Sequence, residues 1–335
     1  MSINFISLFT GCGGLDIGAF DCGFQNIISI DNNIDCLETL KLNKKYNHKV
    51  ISSLDINSIN PAETLKNYKN TGPLIIIGGP PCQPFSKNKY WITNKKRQIE
   101  KDPKNGIFGY LNFIQELKPD GFLFENVESI LHPTNKHVVD NMLEVFDELG
   151  YDTKIFKLNS LNFGVPQKRK RIFITGIMGK FKNETFDIPD KEANNIIDFI
   201  NEFDTNKYFE NEEVITGTYK EELLNVPPGK NYISLTLDKS NPHPKFSKGS
   251  RFWNFLLKLH PNMPSWTIPA QPGPWVGPFH WTNRRLRVPE ISAIQGFPKN
   301  YKYYGSRRSI QLQIGNAVPP PMAKKVLNFL GSNLE

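Results

Sequence analysis

INFISLFTGCGGLDIGAFDCGFQNIISID, residues 3 to 31, runs from one β-rich segment through a glycine turn and an amphipathic stretch into a second β-rich segment that ends on an acid. Strand, helix and strand in that order predict a parallel βαβ unit. Glycines at 11, 13 and 14 allow a tight turn and close backbone approach to a ligand, and Asp31 lies twenty residues past Gly11, where an acid can hold ribose hydroxyls. A dinucleotide is one reading. Gly11-Cys12-Gly13-Gly14-Leu15-Asp16 lacks the last glycine of a pyrophosphate loop, so a cofactor with an adenosine and no pyrophosphate fits better. The bland alternative is an ordinary glycine turn.

Further along, the alternation continues through NIISID, IDCLETLKLN, KVISSL, AETLKNY, PLIIIGG, FGYLNFIQELK, DGFLFEN and VVDNMLEVFDELG. The pattern predicts an α/β fold: a doubly wound, Rossmann-like parallel sheet covered on both faces. Ligands of such sheets sit at the carboxyl ends of the strands, so SLFTGCGG, SID, SLDI, GGPPCQPFS and FENV are expected on one rim. Past Gly179 the alternation gives way to proline-rich and aromatic-rich sequence, until QIGNAVPPPMAKKVLNFL reads as a loop and a helix. The expected division is a catalytic, cofactor-binding domain of residues 1–178 plus 314–335 and a smaller recognition domain of 179–313.

With 335 residues the chain can bury a sizeable core. No run approaches the roughly 20 apolar residues of a membrane span, and MSINFISLFTG lacks the charged start of a secretion signal, so a cytoplasmic location is expected. Cys12, Cys22, Cys36 and Cys82 form no CxxC and have no histidine at ligand spacing. They read as free thiols, with neither a disulfide framework nor a metal site. The formal net charge is +8, unevenly spread. Positions 239 to 289 carry eight Lys or Arg and no acid, interleaved with aromatics, whereas 184 to 222 carry twelve acids against three lysines. The first pattern suits nucleic acid and the second suits water; a solvated basic face over an aromatic core is the plain alternative.

Eight motifs then occur in one order: FISLFTGCGG, the acid of SID, LDI, GGPPCQPFS, FENV, GVPQKRKRIFITG, RRLRVPEISAIQGFP and QIGNAVPPPMA. From about residue 5 to 330 the chain resembles a DNA (cytosine-5)-methyltransferase of the bacterial type II restriction-modification class. The resemblance implies S-adenosyl-L-methionine as cofactor, double-stranded DNA as substrate and a restriction endonuclease as functional partner, with a monomer expected. It makes Cys82 the nucleophile. C5 of cytosine is a poor nucleophile, and a thiolate added to C6 gives the ring enamine character, so that C5 attacks the methyl carbon. Pro80, Pro81 and Pro84 limit the backbone freedom of the loop that presents the sulfur. Glu125 matches the acid that meets N3 and the exocyclic amine, Arg171 the arginine that meets O2, and Arg169 the one beside the cysteine and the backbone. On residue type alone, Glu125 and Arg171 could equally be a structural ion pair.

Carried over in the same way, Phe9, Gly11, Gly13 and Gly14 contact the cofactor at the first loop and Asp31 holds its ribose. Asp55 and Ile56 meet adenine, Gly79 and Pro81 lie near the methionine part, and Asn316, Ala317 and Val318 return to the site from the C-terminal segment. Two positions depart from the pattern: Asn32 replaces a large apolar residue against adenine, and Ala317 stands where serine is common. The chemistry requires the target base to be flipped out of the stack. The basic segment after Cys82, with Ser86, Lys87, Lys89 and Arg97, reads as a lid that orders on phosphates. Candidates for target reading are Lys245, Ser247, Lys248, Arg251, Gln271, Trp275, His280, Arg284 and Arg285, while Trp253 and Trp266 are expected in a small core. Two other readings remain: a tRNA cytosine-5 methyltransferase, whose usual Cys-Phe-Thr tripeptide is absent, and a catalytically silent DNA-binding regulator.

Overall fold

The computed structural model describes residues 2–49, 51–53, 55–66, 68, 72–81, 106–189, 195–236 and 245–334. Its strands are β1 (Asn4–Leu8), β2 (Gln25–Ile30), β3 (Ile51–Ser52), β4 (Leu74–Gly78), β5 (Gly121–Val127), β6 (Tyr151–Asn159), β7 (Gln167–Lys168), β8 (Lys170–Met178) and β9 (Ser265–Trp266). The helices used below are α1 (Gly14–Asp21), α2 (Ile34–Leu42), α3 (Gly106–Leu117), α4 (Lys136–Glu148), α5 (Val288–Ile294), α6 (Arg307–Asn316) and α7 (Pro320–Ser332).

Seven strands form one sheet in the order β3-β2-β1-β4-β5-β8-β6, and β7 pairs with β9 in a second, two-stranded sheet. β1 to β5 run parallel, as their apolar runs predict. β8 does not: it is antiparallel to both β5 and β6. The expectation of a wholly parallel sheet is corrected there. A short link, rather than a crossover helix, joins β6 to β8, and a short connection favours an antiparallel pair.

Alternation along each strand divides the core between the two faces. Ile6, Ile76, Phe122, Phe124 and Ile174 join Tyr110 and Phe113 of α3 and Met142 and Phe146 of α4 in one cluster. Phe5, Ile75, Ile77, Leu123 and Phe173 join α1 and α7 in the other. On α4 the buried residues Val138, Val139, Met142 and Phe146 make one stripe at helical spacing. α7 begins on prolines, whose missing N–H groups would be unpaired in a first turn anyway. It lies against α1 so closely that a Cβ on Gly18 would come 2.7 Å from that of Ala323. The C-terminal helix therefore belongs to the sheet layer. A third cluster joins Cys12 and Ile17 to Ile200, Phe203, Ile291 and Ile314, and a fourth gathers Leu223, Tyr232, Phe246 and Phe279. No helix among the described residues is long and apolar enough to cross a membrane.

Candidate functional site

Registers place the ends of the strands on one rim: Leu8 pairs with Ile30 and with Gly78, and Gly78 pairs with Phe124. Phe9, Asp31, Gly79 and Glu125 follow directly. Because β8 runs the other way, its first residues reach the same rim, with Arg171 opposite Val127 and diagonal to Glu125. The Arg171 guanidinium stands 2.8 Å from the Glu125 carboxylate. Glu125 is buried, and burial pushes its carboxyl pKa up while the cations of Arg171 and Arg169 pull it down. Gly79 lets that carboxylate approach closely, since a Cβ would sit 2.8 Å from a Glu125 oxygen and displace it.

The glycine loop is held at two points. Thr10 donates to Asp16 at 2.8 Å, and the Gly11 N–H donates to Asp31 at 2.8 Å. Asp16 is fully buried and also accepts from Ser7 and Ser29, so its oxygens are hydrogen-bonded inside the protein. Phe9 and Gly11 both adopt positive φ, 55° and 54°, and in front of Gly11 a Cβ would meet nothing within 4 Å. Asp31 accepts one backbone N–H on each oxygen, from Gly11 and from Asn33, which leaves lone pairs for ribose hydroxyls. Burial raises its pKa above the ordinary carboxylate value, the two N–H bonds opposing the rise. Asn32 is exposed. Asp55 accepts from the Asn57 N–H and starts a short turn in which Ile56 is buried against Gly109. Phe108, next to Gly109 on α3, is exposed. These groups fit S-adenosylmethionine, which has an adenosine and no phosphate.

The C-terminal segment returns to the glycine loop. A Cβ on Gly14 would lie 2.3 Å from the Val318 carbonyl oxygen. Arg169 is 1% exposed and its Nη2 donates to the carbonyls of Gly315, Asn316 and Ala317 at 2.9, 3.4 and 3.0 Å. The backbone partner of Arg169 is thus the 315–317 turn. Asn126 was missed by sequence reasoning: buried beside Glu125, it donates to the Pro80 carbonyl at 3.3 Å and fixes the proline segment that leads to Cys82. Pro81 packs on the start of α3, where a Cβ on Gly106 would meet it at 2.8 Å. Cys82 itself, with Ser86, Lys87, Lys89 and Arg97, lies outside the described residues. Of the other thiols, Cys12 and Cys36 are buried and burial raises both pKa values, so neither is a rival nucleophile.

Several residues expected to face DNA or water stand elsewhere. Arg284 is buried and pairs bidentately with Glu290 at 2.8 and 2.6 Å and with Asp204 at 2.9 Å; it braces the fold. His280 is fully buried, bonded through Nδ1 to Thr282, with its pKa lowered to about 3 chiefly by burial. Lys258, counted among the basic residues, is also buried, on Val226 and Asn283. The tryptophans exchange places. Trp275 packs on Tyr219 in the small core, whereas Trp253 and Trp266 are 51% and 37% exposed and meet edge to face at 5.0 Å. The acidic segment is likewise not only solvated: Glu213 pairs with Arg287, Glu210 with Arg307 and Glu222 with Lys245. Ser247, Lys248, Arg251 and Gln271 are exposed, while Arg285 is half-buried with one arm on the Pro274 carbonyl.

Against known proteins, residues 3–332 match the family model described as C-5 cytosine-specific DNA methylase. The Type II methyltransferase M.SacI of Streptomyces achromogenes is 34% identical, over 98% of this chain and 93% of that protein. M.NgoFVII of Neisseria gonorrhoeae is 30% identical over 98% and 88%. Among solved structures, Spodoptera frugiperda DNMT2 shares the fold, with a TM-score of 0.70 at 15% identity over 98% of this chain and 100% of that one. With a family model spanning nearly its whole length and the rim built as described, the chain belongs to the C-5 cytosine-specific DNA methylases.

Proposed function

We propose that this enzyme, which methylates C5 of cytosine in DNA with S-adenosylmethionine as donor, works through a covalent bond between Cys82 and C6 of a flipped-out base in duplex DNA. The carrying observation is the buried Glu125–Arg171 pair at 2.8 Å, on the rim beside the Gly79–Pro81 turn that leads to the cysteine. S-adenosylmethionine supplies the methyl group. Attack of the Cys82 thiolate on C6 sends electron density toward N3 and O2, where Glu125 in its acid form donates at N3 and Arg171 meets O2. Burial, which raises the Glu125 pKa, favours that acid form. The C5 proton then leaves and the thiolate is expelled, restoring aromaticity. Water is the proposed base, since no rim side chain among the described residues is an obvious one.

Phe9, Gly11, Gly13, Gly14 and Asp31 would hold the donor with Asp55, Ile56, Gly79, Pro81, Asn316, Ala317 and Val318, and Phe108 would add an apolar surface for adenine. Target reading is assigned to the 179–313 region, with Lys245, Ser247, Lys248, Arg251, Gln271 and Arg285 as candidate contacts and Ser86, Lys87, Lys89 and Arg97 on the phosphates. We assign 1–178 plus 314–335 to catalysis. The enzyme would act as a cytoplasmic monomer that protects host DNA from a partner endonuclease, as the type II names of its relatives imply. Radiolabelled methyl from S-adenosylmethionine should enter duplex DNA, and Cys82→Ala should abolish transfer while leaving DNA binding. Incorporation into tRNA but not duplex DNA would overturn the substrate, and binding without transfer by the unmodified protein would favour the silent regulator.

A further inference from the structure

The two-stranded sheet joins the recognition region to the rim, since Ser265 and Trp266 pair with Gln167 and Lys168, immediately before Arg169. Gln167 and Gln295 are both 0% exposed. The Gln167 side-chain oxygen accepts from the Ile268 N–H at 3.1 Å, and its amide nitrogen donates to the Ile294 carbonyl at 3.2 Å and to the Gln295 oxygen at 2.6 Å. With its oxygen so taken, Gln295 must turn its own NH2 outward, and that group donates to the Ala317 carbonyl at 2.5 Å. Ala317 is one of the carbonyls that hold Arg169. The path from the 265–268 segment to the 315–317 turn is therefore a run of buried amides, each orientation forced by the one before. At the surface, Thr267 adds a bond to the Lys168 carbonyl at 2.7 Å.

We propose that the Gln167–Gln295 pair is a positioning device: it makes the placement of Arg169 and of the cofactor-side turn depend on how the 265–268 segment is seated on DNA, so that site recognition governs the methylation rate and not only binding. The idea rests on the proposed function, because it needs a rim at which Arg169 acts on Glu125.

The test uses the whole protein and two duplexes, one holding the site located by bisulfite sequencing and one differing from it by a single base pair. Single-turnover methylation is read at saturating duplex and S-adenosylmethionine. The unmodified enzyme should be fast on the first and slow on the second. In Gln167→Met and Gln295→Met the first rate should fall by about tenfold or more, the scale set by a misplaced reacting group, with duplex Kd changed by less than about threefold and the two rates drawn together. Thr267→Val, at the surface, should shift the ratio the same way to a smaller degree, and decides the matter alone if the buried variants do not fold. Equal loss on both duplexes, or an unchanged ratio in folded variants, would overturn the proposal. Failure of the unmodified enzyme to methylate either duplex would instead overturn the proposed function.

Discussion

Glu125 stands between two opposed influences, burial that favours its acid form and two arginines that favour its carboxylate. Burial is the larger, so the group keeps its proton to higher pH than an ordinary glutamate. If the acid form is the working one, the rate must have a limb that falls as pH rises through this raised value. Removing a neighbouring cation removes a force that lowers the pKa, so Arg171→Gln should move that limb to higher pH while slowing the reaction at every pH; a pH profile of kcat/KM checks both. Glu125→Gln, which has no titratable proton, should lose the limb altogether and about 10²-fold or more in kcat. At this scale the sequence is legible where a motif fixes a residue: Glu125, Arg171 and Asp31 stand in FENV, QKRKR and SID, and the fold brings all three to one rim. The role of Asn126 is not legible, because its task is a bond to the Pro80 carbonyl, a partner forty-six positions away that spacing does not reveal. His280 and Arg284 were misread because residue type announces charge, and only packing decides whether that charge faces solvent.

At the scale of elements, the strand and helix alternation gave away the sheet, and the prolines at 319–321 announced the returning helix α7. The direction of β8 was not legible. Its apolar run reads like that of any buried strand, yet its reversal is what carries Arg171, near the start of the strand, to the rim where the parallel strands end. The fit of α1 against the C-terminal segment supplies a stability prediction. In Gly14→Ala the new methyl would meet the Val318 carbonyl, a backbone atom that can yield only by moving the whole segment. Overpacking of this kind costs about 1–3 kcal/mol. A lowered midpoint in chemical denaturation together with weaker S-adenosylmethionine binding is expected, and an unchanged midpoint would contradict the close approach. In the same way Glu290→Gln, which takes a carboxylate from buried Arg284, should destabilise by about 3 kcal/mol in the same measurement.

Over the whole molecule, the eight Lys and Arg of positions 239 to 289 overstate what DNA can meet. Acids of the 184–222 segment are paired with Arg284, Arg287, Arg307 and Lys245, so sequence regions of opposite sign that looked separate are partly folded onto each other. Composition shows charge along the chain, and pairing across it appears only with the fold. Among the described residues of positions 239 to 289, Lys248 and Arg251 are exposed and outside any ion pair, Arg251 with one arm on the Tyr219 hydroxyl at 3.2 Å, and they are the candidate phosphate contacts. Arg251→Ala should reduce the slope of log K against log salt for duplex binding by about 1, whereas Arg284→Ala should leave that slope alone and lower the melting temperature. Equal effects of the two on the slope would contradict the pairing.

All of these expectations presuppose that the rim serves a covalent reaction at position 82. A duplex carrying 5-fluorocytosine at the target base, incubated with enzyme and S-adenosylmethionine, cannot release the C5 substituent and should remain bonded to the protein through denaturing electrophoresis, with peptide mass spectrometry locating the adduct on Cys82. Absence of a denaturation-resistant complex with enzyme that methylates the unfluorinated duplex, or an adduct on any other residue, would contradict the account.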